Sequence, residues 1–366
     1  MGKKKILIVC HGFYPSNTPR ANRATELAKE FALQGHEVVV ITPKKNGHAA
    51  FEAKHSITIK DLGEVKWKVP NFGTSKVGFL LTRMVLRMLQ LSVEYPYIEL
   101  MFKVKKALRE EKGYDMLISI AVPYPIHWGV AKVWNKHQSI AKVWVADCGD
   151  PYMGCKTDSF KKPFYFSYVE KWFMRKADFI SIPVESARSG YYDEFQEKIK
   201  IIPQGFKFEE IQTTEDFVEH PVPTFAYAGG FIPKFRDPGP FLDYLITVDT
   251  DFKFIVYTST VSLLEKYAEL LNGKLEVRNY IPREDLLEVL SKMDFLINFD
   301  NNTQIQVPSK LIDYALAGRP ILNIKDELEP VKVDEFLKGD YSGRYKLPDV
   351  QRYNIENVVK QFIDLL

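Results

Sequence analysis

Residues 306–322, QVPSKLIDYALAGRPIL, set Pro308, Ser309 and Lys310 where a helix should begin and Asp313 about one turn further in. Proline at the first helical position loses nothing, because its missing N–H would have had no partner, and serine beside it caps the next amides. The remaining free N–H groups, the positive end of the helix dipole and the Lys310 ammonium together suit a phosphate. Asp313 would repel a phosphate in contact but accepts hydrogen bonds from the adjacent hydroxyls of a ribose. These residues fit the binding of a nucleoside diphosphate. The plain alternative is a capped core helix with Leu311, Ile312, Ala315 and Leu316 on a sheet and Gly318 at its end.

A second stretch, AGGFIPKFRDPG at residues 228–239, offers Gly229 and Gly230 for close backbone approach, then Lys234 and Arg236. An arginine there grips a diphosphate bidentately, or the stretch is a solvated basic turn. Chemistry at an anomeric carbon needs a departing diphosphate stabilised as charge develops, and Arg236, Lys310 and the amides after Pro308 supply that without a metal. The string DTD at residues 249–251 reads as a solvated turn. In the first half of the chain, VADCGDPYMG ends a strand with Asp147 and Asp150. Asp150 receives the proton of an attacking hydroxyl, binds that hydroxyl, or caps the next helix. His11 and Gly12 follow the first strand, Arg20 and Arg23 open the next helix, and His127 lies in AVPYPIHWG, either bordering an acceptor or satisfied in a core or at the surface.

The elements that must carry these groups are legible as alternation. KILIVC, HEVVVIT, DMLISIA, AKVWVA, DFISIPV and IKIIPQG read as strands separated by amphipathic helices such as residues 20–34, where Gly35 stands at the stop. The pattern restarts with TFAYAGG, FKFIVYT, LEVRNYI, DFLINFD and PILNI, with helices beginning near Pro238, Val261, Pro282 and Pro308. Between the two sets, residues 205–223 lose both periods and read as a linker. A length of 366 residues suits two domains at about 150 each. The expected α/β fold is two Rossmann-like, doubly wound parallel sheets with a ligand crevice between them. The boundaries are 1–208, 209–350, and a C-terminal helix at 351–366 packing back on the first domain. No G-x-G-x-x-G follows either first strand, which argues against a dinucleotide cofactor.

With 50 basic and 47 acidic residues the net charge is +3, so nothing demands a nucleic-acid partner. Three cysteines without a CxxC pair argue against zinc and against a disulfide framework. The run ILIVC after Met-Gly-Lys-Lys-Lys is too short for a signal segment, so a cytoplasmic protein is expected. Residues 77–109 mix arginine and lysine with Leu, Met, Phe and Tyr. That tract either rests on the inner face of an anionic membrane, meeting a lipid-linked acceptor, or is a helical pair packed on the sheet.

The segments RATELAKEFALQGHEVVVIT, KIKIIPQGF, YIPREDLLEVLSKMDFLIN and VPSKLIDYALAGRPIL, in their order and spacing, resemble the bacterial retaining GT-B glycosyltransferases, the family 4-like group of lipopolysaccharide, capsule and exopolysaccharide sugar transferases. The resemblance implies a nucleoside-diphosphate sugar as donor on the C-terminal domain. It also implies a glycan or lipid-linked acceptor on the N-terminal domain, retention of anomeric configuration, no cofactor and no essential metal. Asp150 before Pro151 and Arg23 match positions common in such proteins, and His11 and Gly12 occupy the turn that relatives press against donor phosphate or acceptor. The family's usual pair of glutamates is replaced: Asp313 stands at the second, ribose-binding place and Ile305 at the first. That departure bears on the identity of the sugar. The expected roles are catalysis by Asp150, Arg236 and Lys310, with domain closure over the donor. Two rival readings share the fold: a nucleotide-sugar 2-epimerase and a catalytically silent nucleotide-sugar-binding partner.

Overall fold

The computed structural model describes residues 2–73, 75–135, 140–155, 160–208, 217, 219–231, 236–300, 309–325, 327–346 and 349–366. The chain divides into two compact units, Met1–Phe206 with Tyr353–Leu366, and Lys207–Arg352.

The first unit runs β1 (Lys5–Cys10), α1 (Pro19–Leu33), β2 (Glu37–Thr42), α2 (His48–His55), β3 (Thr58–Asp61), α3 (Lys76–Val93), α4 (Glu99–Ala107), β4 (Tyr114–Ile120), α5 (Pro125–Val133), β5 (Ala141–Asp147), α6 (Tyr165–Lys176), β6 (Phe179–Ile182) and β7 (Ile199–Ile201). Its seven strands pair in parallel in the order β3-β2-β1-β4-β5-β6-β7. Strands such as KILIVC and EVVVIT are apolar on both faces because helices cover both faces of a parallel sheet. Thr18 caps α1 by accepting from the Ala21 amide, Pro19 sets the first turn, and Gly35 takes φ +85° where the helix must stop. Strand β3 has no counterpart in the sequence reading: it is an edge strand with Ile59 as its one buried residue, so alternation is invisible.

The tract at residues 77–109 splits into two unlike helices. Leu100 and Val104 of α4, with Leu108 just after it, are fully buried in the core, and Lys103 pairs with Glu99. Helix α3, by contrast, buries only Gly78. The helical-pair reading therefore describes α4 and fails for α3.

The second unit runs β8 (Thr224–Ala228), α7 (Gly239–Ile246), β9 (Lys253–Tyr257), α8 (Glu265–Leu270), β10 (Leu275–Arg278), α9 (Arg283–Ser291), β11 (Phe295–Phe299), α10 (Ser309–Leu316), β12 (Ile321–Ile324) and α11 (Pro330–Leu337). Its sheet is parallel in the order β10-β9-β8-β11-β12, so β8 and β11 flank the point where strand order reverses. In open sheets of this kind ligands gather beyond the carboxyl ends at that point. The string at residues 249–251 lies in an exposed turn before β9.

The chain then returns to the first unit as α12 (Ile355–Ile363). Ile355, Val358, Val359 and Phe362 sit in one core cluster with Ala24, Leu27, Ala28 and Phe31 of α1. At the return, the Phe206 amide donates to the Tyr353 carbonyl at 2.8 Å, and the Ile355 amide donates to the Phe206 carbonyl at 2.9 Å.

Candidate functional site

In the second unit β8 is followed by Gly229 and Gly230. Gly229 takes φ +148°, and a Cβ there would stand 3.1 Å from the Tyr227 hydroxyl. That hydroxyl donates to the Gly230 carbonyl at 3.0 Å and also meets the Arg236 side chain. Helix α10 is tied to the same spot, because the Ala228 amide donates to the Tyr314 hydroxyl at 2.8 Å. Lys310 lies four residues before Tyr314, hence on the same helical face one turn nearer the start. Its Nζ stands 4.6 Å from the centre of the Tyr227 ring.

The result is two cations held beside one tyrosine with unmet hydrogen-bonding capacity. Lys310 Nζ and Arg236 Nε are buried and have no hydrogen-bond partner among the described residues. Burial, with the Arg236 charge adding to it and Asp300 opposing, pulls the Lys310 ammonium down to about 7. A buried donor without a partner costs about 1–3 kcal/mol, more when charged. Such a place gains from an anion with several oxygens.

Asp313, one turn further along α10, accepts from Arg283 of α9, Nε at 2.9 Å and Nη2 at 2.6 Å, both on Oδ1. Burial raises its carboxyl above the usual range although Arg283 works against this. Oδ2 takes no hydrogen bond among the described residues. Lys234, Pro308, Ile305, residues 301–304 and the side chain of Ser309 lie outside the described residues.

In the first unit the charged centre is Asp147 at the end of β5. Arg23 donates to both its oxygens, Nη2 to Oδ1 at 2.9 Å and Nε to Oδ2 at 3.2 Å; Arg20 Nη2 donates to Oδ2 at 2.6 Å, and the Ser181 hydroxyl to Oδ1 at 2.6 Å. Burial alone would raise this carboxyl, but Arg23, Arg20 and Ser181 hold it down to about 2. Arg23 further donates to the carbonyls of Ile202 and Pro203. Arg23 is 2% exposed and so is not a surface charge. His127 is fully buried, its Nδ1 shares a hydrogen bond with Ser119 at 2.7 Å, and its ring stacks on Phe173. Burial pulls it down to about 3, so it stays neutral.

Asp150 lies in the exposed turn after β5, its carbonyl accepting from the Tyr124 hydroxyl. His11 is partly exposed after β1, edge-on to Tyr97 at 5.4 Å, and burial, with Lys45 adding, lowers its pKa. A Cβ on Gly12 would press on Ala21 at 3.2 Å, so this turn hugs the start of α1. Tyr227, Tyr314 and Arg283 escaped the sequence reading. The tyrosines sit in apolar strand and helix patterns, and an arginine in the first turn of a helix carries no distinguishing signal. No group of three or more metal-ligating side chains occurs among the described residues.

The model of Glycosyltransferase Family 4 matches residues 21–210. Among solved structures, HepE of Anabaena in complex with UDP and glucose is 12% identical, covers 99% of both chains and gives a TM-score of 0.57. TarM is 11% identical over 99% of this chain and 98% of its own, with a TM-score of 0.61. A glycosyltransferase of Rickettsia africae is 12% identical over 100% and 98%, with a TM-score of 0.59. At such identities the likeness shows a shared architecture, the GT-B fold. No curated protein matches the sequence.

Proposed function

The chain belongs to Glycosyltransferase Family 4, and from that premise we propose that it moves a sugar from a nucleoside-diphosphate sugar, bound by the second unit, to a glycan or lipid-linked acceptor. The observation that carries the donor site is the pair of buried, unpartnered nitrogens, Lys310 Nζ and Arg236 Nε, beside Tyr227. A diphosphate satisfies both, and its growing charge as the bond from the anomeric carbon breaks is what preorganised cations stabilise best. That charge comes from side chains, so the transfer proceeds without an essential metal. Asp313 takes a ribose hydroxyl on Oδ2 while Arg283 fixes Oδ1. Gly229 and Gly230 let the diphosphate approach the backbone.

Asp150, exposed after β5, orients or deprotonates the acceptor hydroxyl, with His11 and Gly12 contributing from the turn after β1. Arg23 and His127 act by holding the unit's shape. Retention of anomeric configuration, a hexose as the transferred sugar and a place in surface polysaccharide synthesis rest on the resemblance alone. Work at the inner face of the cell membrane rests on the basic, apolar tract at residues 77–109. HepE was solved with UDP-glucose, which makes a UDP-sugar the first donor to try.

Thermal unfolding with UDP, GDP, ADP and their sugars tests the reading. A true donor at 100 times its Kd stabilises by about 2.7 kcal/mol. A set in which nucleosides stabilise as much as their diphosphates would remove the diphosphate site from the proposal.

A further inference from the structure

Residues 65–93 contain five basic residues, Lys66, Lys68, Lys76, Arg83 and Arg87, and no aspartate or glutamate. Their helical part, α3, is 18 residues long and buries only Gly78. At 100° per residue Val77, Leu80, Leu81, Met84 and Met88 form one apolar stripe, and Lys76, Arg83 and Arg87 form a stripe beside it. The five apolar residues are 45–68% exposed, and Trp67 and Phe72 are exposed just before the helix. Water is a poor solvent for such a face. No helix among the described residues is long and apolar enough to cross a membrane.

Where α3 ends, Ser92 and Val93 form part of the rim of an open cavity of about 520 Å³, lined chiefly by Met101, Trp128, Phe166, Tyr168 and Trp172, with Lys132 at its edge. The apolar surface therefore runs from the helix into a recess of ligand size.

We propose that α3 lies on an anionic lipid bilayer, its cationic stripe toward the headgroups, and that the recess at its end takes one hydrocarbon chain from that bilayer. Charge complementarity selects this occupant: a second copy would bring five more cations against these five, whereas anionic headgroups neutralise them. The surface gives the membrane position of the proposed transferase a physical seat, and so rests on that reading for its purpose. Its test uses no sugar nucleotide, so it fails or succeeds separately.

The full chain is floated with vesicles of phosphatidylglycerol or of phosphatidylcholine. Binding to the anionic vesicles is expected, weakening about fivefold for each of Lys76→Gln, Arg83→Gln and Arg87→Gln. The doubly exposed variant Leu80→Glu/Met84→Glu is expected to lose binding by tenfold or more while keeping the wild-type melting temperature, since neither side chain is in the core. Acyl chains brominated near their ends should quench tryptophan fluorescence in the wild type and quench less in Trp172→Phe, which removes a lining fluorophore. Equal binding to both vesicle types, no binding to either, or lipid-free dimers abolished by Leu80→Glu/Met84→Glu would each overturn the proposal.

Discussion

Lys310 should take up a proton when the donor binds. Burial and the neighbouring Arg236 hold its ammonium down to about 7, so at pH 8 about nine-tenths of free sites carry a neutral amine. A bound diphosphate restores the cation, and a diphosphate diester such as UDP-glucose has almost no proton of its own to exchange between pH 6 and 8. Calorimetry in buffers of different ionisation enthalpy should then show about 0.9 proton taken up at pH 8 and about 0.1 at pH 6. The Kd should rise with pH above 7, approaching tenfold per unit. Free-protein stability moves the opposite way: with the folded-state pKa below the unfolded one of about 10.4, the unfolded chain holds more protons between them, so this group's penalty is full below pH 7 and fades as pH rises toward 10. In Lys310→Met the uptake should vanish and UDP-glucose affinity at pH 6.5 should fall by about 10–150-fold, the loss of a charge-assisted contact of 1.5–3 kcal/mol. Uptake near zero at pH 8 in the wild type, or uptake unchanged in the variant, would refute the assignment of Lys310 to the diphosphate.

Arg236→Ala should weaken UDP by tenfold or more and uridine by less than twofold, measured side by side in the same titration. Asp147→Asn strips the buried Arg23 and the partly buried Arg20 of their counter-ion and should cost about 3–5 kcal/mol, read as a fall in Tm of roughly 10 °C. Because the Asp147 carboxyl is held near 2, its contribution is present above pH 4, and the gap between wild type and variant should close as pH falls from about 4 to 2. Deleting residues 353–366 exposes the seat of five buried apolar side chains of α12 worth about 1.5–3 kcal/mol each, comparable with a domain's whole stability. The truncated chain should show no cooperative melt for its first unit by calorimetry; a melt within a few degrees of the full chain would refute this account of α12.

Much of the fold could be read because parallel strands buried on both faces appear as unbroken apolar runs, and because Pro238, Pro282 and Gly35 mark helix ends with residues chosen for backbone reasons. The start of α10 at Ser309 and Lys310 could be read because a helix start with a lysine is a local feature. What escaped depends on distant partners. Asp147 and Asp150 look alike in sequence, yet two arginines more than 120 positions away enclose Asp147 and leave the other in the exposed turn. Tyr227 and Tyr314 read as core, which they are, but the use of their hydroxyls to fix Gly230 and the end of β8 is set by packing alone. The mixed tract at residues 77–109 has one composition and two fates, divided near Glu94 and Pro96.

The hydrogen bonds joining Phe206 to Tyr353 and Ile355 put the exit and re-entry of the chain at a single doorway. Everything between residues 207 and 352 is in effect a cassette inserted into a host that is stitched shut on either side of it. A short glycine bridge across the doorway should leave the host intact, and a foreign cassette of the same fold could be spliced in at the same two positions. With the donor site placed as proposed, donor preference is then exchanged through one pair of cuts without disturbing a host residue.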